Sequence, residues 1–242
     1  VQGELFKTNA RTAEMAKLTE NAYRDVNIAF ANELSLISDK LDINVWELIS
    51  LANRHPRVNI LQPGCGVGGH CIAVDPWFIV TAARDVSPII ELSRNVNDSM
   101  PSYVAEKVNA LVPLGSKIVI LGCTYKPNVD DLRESPIMTL VDLLQNSYDV
   151  SIVDPFVGRY NVDLYSAARD AELIVLGVHH DQFKEIDLAS LAKVTKRPVL
   201  LDTRNFFSRE AAVEAGFEYH LLGSGDVFEG AQSEREVAST DE

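Results

Sequence analysis

A chain of 242 residues with 46% apolar and 24% charged side chains can bury a sizeable core, and its length accommodates one or two domains. Its formal net charge of −13 argues against a nucleic-acid-binding surface, so an anionic ligand must be met by local clusters of Arg and Lys. Cys65, Cys71 and Cys123 are too scattered for a disulfide framework and lack the paired spacing of a zinc site, and no apolar run is long enough for a membrane span, so a reducing, cytoplasmic setting without metal or membrane is expected.

The chain starts at Val1 without Met, and Gly3-Glu4-Leu5-Phe6-Lys7 reads as the approach to a helix, which is expected of a fragment with an upstream part. From Thr12 to Lys40 there is neither Pro nor Gly. Met15, Leu18, Ala22, Val26, Ala29, Phe30, Leu34 and Ile37 recur there at three- and four-residue spacing, predicting a long amphipathic helix capped by Thr12 or Asn9. Its apolar positions cover more of the circumference than one packing face needs, which a second copy of the chain would bury. Lys17 and Asn21, four residues apart, share one face. A second helix is expected over Leu41 to Leu51 with Asp42 or Asn44 near its cap, followed by a loop, Asn53 to Ile60, that holds His55 and Arg57.

Gly64, Gly66, Gly68 and Gly69 then allow close approach of backbone to a ligand, with Cys71 following and Asp75 four residues beyond it. His70 and a helix starting at about Pro76 both favour thiolate, so this reads as a reactive-cysteine loop. Residues 76–112 read as two or three helices broken at Pro88 and Pro101, completing an all-helical half.

At Gly115 the period changes. Short apolar runs at Lys117–Gly122, Val150–Val153, Leu173–Leu176 and Val199–Leu201, with a last one at Tyr219–Leu222, alternate with helical stretches, one of them Ser135–Leu144. They predict a parallel sheet covered on both faces, hence an α/β chain with a helical domain over 1–112 and a Rossmann-like domain over 113–228. Residues 229–242 are acidic and poor in apolar side chains, as expected of a disordered tail. Ligands of such sheets bind beyond the carboxyl ends of the strands, where Lys126, Arg133 and Arg204 suit a pyrophosphate; Arg133 could instead join Asp130 and Asp131 in a structural ion network. No Gly-x-Gly-x-x-Gly follows the first strand, so this half lacks the dinucleotide fingerprint. Asp154-Pro155 is expected to make a turn without function, and His179-His180-Asp181 to be a solvated strand end.

The run Gly-Val-Gly-Gly-His-Cys-Ile-Ala-Val-Asp-Pro-Trp-Phe at 66–78 resembles the active-site loop of the UDP-glucose/GDP-mannose dehydrogenase family, and the stretch from Thr12 through Lys17 and Asn21 to Leu34 resembles its central helix. The resemblance implies an NAD-dependent, two-step oxidation of a nucleotide-sugar C6 hydroxyl to a carboxylate, with Cys71 as nucleophile, Lys17 and Asn21 at the oxyanion and Asp75 on water. It further implies Lys126 and Arg204 as substrate contacts and Arg133 as a cofactor contact, with NAD held mainly by an absent N-terminal domain. A homodimer is implied as well, in which Arg57, with His55 beside it, reaches the neighbouring subunit's sugar nucleotide. The Ile-Ala-Val-Asp-Pro-Trp-Phe form favours UDP-N-acetyl-D-mannosamine, with UDP-GlcNAc, UDP-glucose and GDP-mannose behind it. A cysteine hydrolase using Cys71 with His70 or His55 is disfavoured because adjacent His70 is badly placed as a base. A module that only binds UDP-sugar and dimerises is the other alternative.

Overall fold

The computed structural model describes residues 3–225. Helix α1 runs Ala10–Leu41, capped by Asn9, whose side chain accepts the Thr12 N–H at 2.9 Å. It stops because Asp42 takes φ 58° and returns its N–H to the Ser38 carbonyl. The second helix therefore starts later than its apolar pattern suggests: α2 covers Val45–Ala52, with the Asn44 side chain accepting the N–H groups of Trp46 and Glu47. After the cysteine loop, α3 covers Asp75–Ala82 and α4 covers Pro88–Leu111.

Pro101 does not break α4, contrary to expectation. Met100, Val104, Val108 and Leu111 are all buried in one core, so packing outweighs one lost helical hydrogen bond. The carbonyl that Pro101 cannot bond is that of Asn97, and Gly66 comes so close to it that a Cβ there would lie 2.8 Å from the Asn97 oxygen.

Helices α1 and α4 pack along a buried polar chain. Arg94 donates to Asp25 at 2.5 Å, Asn97 donates to the same carboxylate at 2.8 Å, and Asn32 donates to Asn97 at 2.9 Å. The Asn32 side-chain amide oxygen then accepts the Gly64 N–H at 2.9 Å, which ties the start of the cysteine loop to both helices. Burial pushes the Asp25 carboxyl up, opposed by Arg94. Removing Arg94 would leave the Asp25 carboxylate buried without a counter-ion, whereas Arg94 also pairs with Asp98.

The sheet is parallel throughout, in the order β2-β1-β3-β4-β5, with β1 Lys117–Leu121, β2 Asp149–Val153, β3 Leu173–Leu176, β4 Val199–Asp202 and β5 Glu218–Leu221. β1, β3 and β4 are buried almost completely, which accounts for their unbroken apolar sequences. Alternate residues serve opposite faces. Ile118, Ile120, Val175 and Leu201 join α4 and α5 (Pro136–Leu144), while Val119, Leu121, Ile174 and Leu200 face Leu191 of α6 (Leu188–Val194) and Ala212 of α7 (Arg209–Glu214). Because α4 belongs to the first of these cores, apolar packing is continuous across the junction at 112–116. The order reverses between β1 and β3, so a crevice opens at their carboxyl ends, facing the cysteine loop.

Candidate active site

A cleft of about 420 Å³ lies between the two halves. α1 contributes Lys17, Asn21, Arg24 and Ile28, the cysteine loop contributes Gln62 and the backbone from Gly66 to Ile72, and the strand ends contribute Tyr125, Lys126 and Arg204. Cys71 is half-buried on this wall, and its carbonyl accepts the N–H groups of Val74 and Asp75, a turn that leads into α3. The other two thiols are buried in the packing. Cys65 is pushed up to about 12 by desolvation despite the nearby Arg204 charge, and Cys123 is pushed up by desolvation and by Asp154.

The glycines fix where the cysteine loop runs. A Cβ on Gly68 would lie 2.3 Å from the Glu134 carbonyl oxygen and 2.8 Å from Pro136, and Gly69, at φ 93°, donates its N–H to the Arg133 carbonyl at 3.1 Å. A Cβ on Gly64 would fall 1.9 Å from the Arg204 guanidinium. That guanidinium donates to the Pro63 carbonyl and to His179 Nδ1, both at 3.3 Å, so Arg204 joins the β4 end to the loop that carries the thiol. Asp202 holds this end of β4 by accepting the N–H groups of Arg204, Phe206 and Phe207 and the Tyr219 hydroxyl.

On the facing helix, Asn21 donates to Asp75 at 2.6 Å, which leaves its second amide hydrogen for a ligand. Lys17 pairs with Glu20 at 2.9 Å, and this bond, followed by the Glu20 charge, holds the ammonium protonated, with Cys71 and Asp75 adding to the field. Lys126 is exposed, its Nζ 5.4 Å from the Tyr125 ring centroid. Arg133 lies outside the cleft lining and grips Asp131, holding that carboxyl down at about 2. The ion pair allowed for Arg133 is therefore present, and an NAD contact would have to share it. His55 and Arg57 sit on an exposed turn outside the cleft, the Arg57 N–H reaching His55 Nδ1 at 3.3 Å.

His180 corrects the expectation of a solvated strand end, because it is completely buried. Its Nδ1 accepts the Asn128 N–H at 2.9 Å and its Nε2 faces Asp154 Oδ2 at 3.0 Å. Asp154 also accepts the Cys123 and Phe156 N–H groups, so the turn that seemed without function anchors the loop carrying Tyr125 and Lys126. Arg24, Ile28, Gln62 and Tyr125 went unassigned in the sequence. For Arg24 a signal existed: it stands seven residues after Lys17 and three after Asn21, on the same helical stripe.

The central-domain model of the UDP-glucose/GDP-mannose dehydrogenase family matches residues 11–99, and the model of that family's UDP binding domain matches residues 119–209. The chain belongs to the UDP-glucose/GDP-mannose dehydrogenase family. Lys17, Asn21, Cys71 and Asp75 fall within the family's central domain, Lys126, Arg133 and Arg204 within its UDP binding domain, and the cleft lies where the two meet. A UDP-N-acetyl-D-mannosamine dehydrogenase of Campylobacter jejuni is 52% identical over 201 residues, 77% of this chain and 49% of the relative. An NDP-N-acetyl-D-galactosaminuronic acid dehydrogenase of Ralstonia nicotianae is 49% identical over 220 residues, 86% of this chain and 51% of that one. The solved structure of a UDP-D-ManNAc dehydrogenase from Pyrococcus horikoshii superposes with a TM-score of 0.86 at 39% identity, covering 94% of this chain and 55% of the other. The chain thus spans about half the length of the curated relatives it matches.

Proposed function

We propose that this chain forms the sugar- and UDP-binding part of an NAD-dependent dehydrogenase that oxidises the C6 hydroxyl of a UDP-N-acetylhexosamine, UDP-N-acetyl-D-mannosamine foremost, to the uronic acid. One observation carries the reading. A single cleft gathers a half-exposed cysteine, a lysine and an asparagine on the facing helix, and cationic side chains beyond two strand ends. The names of the Campylobacter and Ralstonia relatives support an N-acetylated sugar nucleotide.

NAD, when bound, accepts the hydride of each oxidation. Gly122-Cys123-Thr124-Tyr125-Lys126 after β1 is no glycine cradle for a dinucleotide, so within the described residues Arg133 alone is assigned to NAD. The chain's own work is at the sugar. The Cys71 thiolate adds to the C6 aldehyde, forming the C–S bond as the carbonyl electron pair moves onto oxygen, and the covalent link keeps the aldehyde from escaping between oxidations. The Lys17 ammonium and the free Asn21 N–H hold that oxyanion. At the thioester stage water attacks the carbonyl, Asp75 takes its proton, and the thiolate leaves. Lys126 and Arg204 hold the UDP phosphates. In a homodimer, Arg57 and His55 approach the neighbouring subunit's cleft.

Calorimetry tests the division of labour. The chain should bind UDP and UDP-sugars and show no saturable NAD binding; tight NAD binding without UDP-sugar binding would make the sheet half the cofactor domain instead. Lys17→Ala should leave UDP-sugar affinity nearly unchanged and lower turnover of the full-length enzyme, because its charge is needed as the oxyanion forms. The missing glycine cradle favours one narrower reading, that the isolated chain only binds UDP-sugar and dimerises, and acid formation by this chain with added NAD would exclude it.

A further inference from the structure

The cleft has a direction that the α1 contacts define. At one end Asn21 bonds to Asp75 beside the Cys71 turn. Toward the other, Asn32 bonds to Gly64, against which the Arg204 guanidinium packs. Arg24 and Ile28 line the wall between, Arg24 about 4.5 Å along the helix from Asn21 and Ile28 about 6 Å further, at 1.5 Å rise per residue. Arg24 has no hydrogen bond or ion pair within the described residues. Lys17, on the same stripe, is by contrast committed to Glu20. Ile28, half-buried, places an apolar side chain one helical turn beyond that free guanidinium.

We infer that Arg24 and Ile28 are the pair that recognises the 2-acetamido group of the sugar. The inference deepens the proposed function and rests on it. A hexopyranose with C6 at Cys71 and its C1 phosphate toward Arg204 directs its C2 substituent into the middle of the cleft. An acetamido group there presents a carbonyl oxygen and a methyl group. The guanidinium donates to the oxygen and Ile28 covers the methyl. A 2-hydroxyl can meet Arg24 but leaves Ile28 against water, so the pair discriminates by adding one good contact and by leaving an apolar side chain exposed to the wrong ligand.

Titrating the 242-residue chain with UDP-N-acetyl-D-mannosamine, UDP-mannose and UDP decides the matter. The wild-type chain should prefer the acetamido sugar over UDP-mannose. Arg24→Leu should cut affinity for the acetamido sugar about ten- to a hundredfold, the range for losing a hydrogen bond to a charged group, while costing UDP-mannose less and leaving UDP unchanged. Ile28→Ser should narrow the same preference with UDP affinity intact. Both side chains lie at the cleft surface, and unaltered circular dichroism and melting would establish that the variants fold. Equal losses for all three ligands in Arg24→Leu would make Arg24 a phosphate contact and overturn the inference, as would a wild-type chain without preference for the acetamido sugar. A wild-type chain that fails to bind UDP itself would instead remove the proposed function on which the inference rests.

Discussion

Cys65 lies buried beside Arg204, and loss of solvent holds its thiol up at about 12, whereas Cys71 lines the cleft facing Lys17 and Asn21. Cys71→Ser in the full-length enzyme should therefore nearly abolish acid formation, since a hydroxyl is a far weaker nucleophile than a thiolate, and Cys65→Ser should be mild. Equal damage from both would move the nucleophile. His179 gives a second test at this scale. Burial first, and then the Arg204 charge, depress it from 6.5 to about 4, in keeping with its Nδ1 accepting from the Arg204 guanidinium. The unfolded chain takes up this proton below about 6.5 and the folded chain only near 4, so folding stability should fall as pH drops through that interval, flatten below it, and be unaffected above it. The difference in urea midpoint between the wild type and His179→Asn, followed from pH 8 to pH 4 (roughly the range over which His titrates), should show this slope and no other. A difference independent of pH would mean that His179 matters only for packing.

The elements followed local chemistry closely where nothing competed with it. Asn9, Asn44 and the left-handed Asp42 set the ends of α1 and α2 through bonds within a few residues, and the β-branched runs became strands. Pro101 departed from that rule because a buried face of α4 spans it, information held by the partners of Met100 and Val104 rather than by their neighbours in sequence. The cysteine loop is likewise shaped by what it touches. Gly68→Ala should cost about 1–3 kcal/mol by overpacking against the Glu134 carbonyl and Pro136, and should alter the alkylation rate of Cys71. Gly158→Ala, with nothing within 4 Å, is the matched neutral control. If the two glycine variants behaved alike in denaturant and in alkylation, contact with the 133–136 segment would not be what positions the thiol.

At the level of the whole molecule, α1 packs on α3 and α4 yet leaves Met15, Tyr23, Phe30 and Ile37 exposed at spacings of eight, seven and seven residues, one stripe of a long helix. An isologous contact along that stripe would bury it, so the chain is expected to sediment as a dimer at micromolar concentration. A monomer there would remove the ground for placing Arg57 and His55 at a neighbour's cleft. The stripe runs on the same helix that carries Lys17, Asn21 and Arg24, so pairing of two chains would also brace one wall of each site.

What the sequence determined by itself was what short-range chemistry controls: two kinds of periodicity, hence a helical half and a parallel sheet, the glycine-rich loop with its thiol, and the helical stripe that carries Lys17 and Asn21. The tertiary structure decided what depends on burial and on distant partners. It buried Cys65 and Cys123 and set Cys71 on the cleft wall, and it joined Asn21 to Asp75 across 54 residues. It also turned Asp154, expected in a turn, and His180, expected at a solvated strand end, into the buried anchor of the Lys126 loop, and it left Arg24 without a hydrogen-bond or ion-pair partner among the described residues, on the cleft wall with Ile28. Desolvation and hydrogen-bond partnership are properties of the space around a side chain, and the strand order and helix packing that create that space are fixed by contacts between residues far apart in the chain.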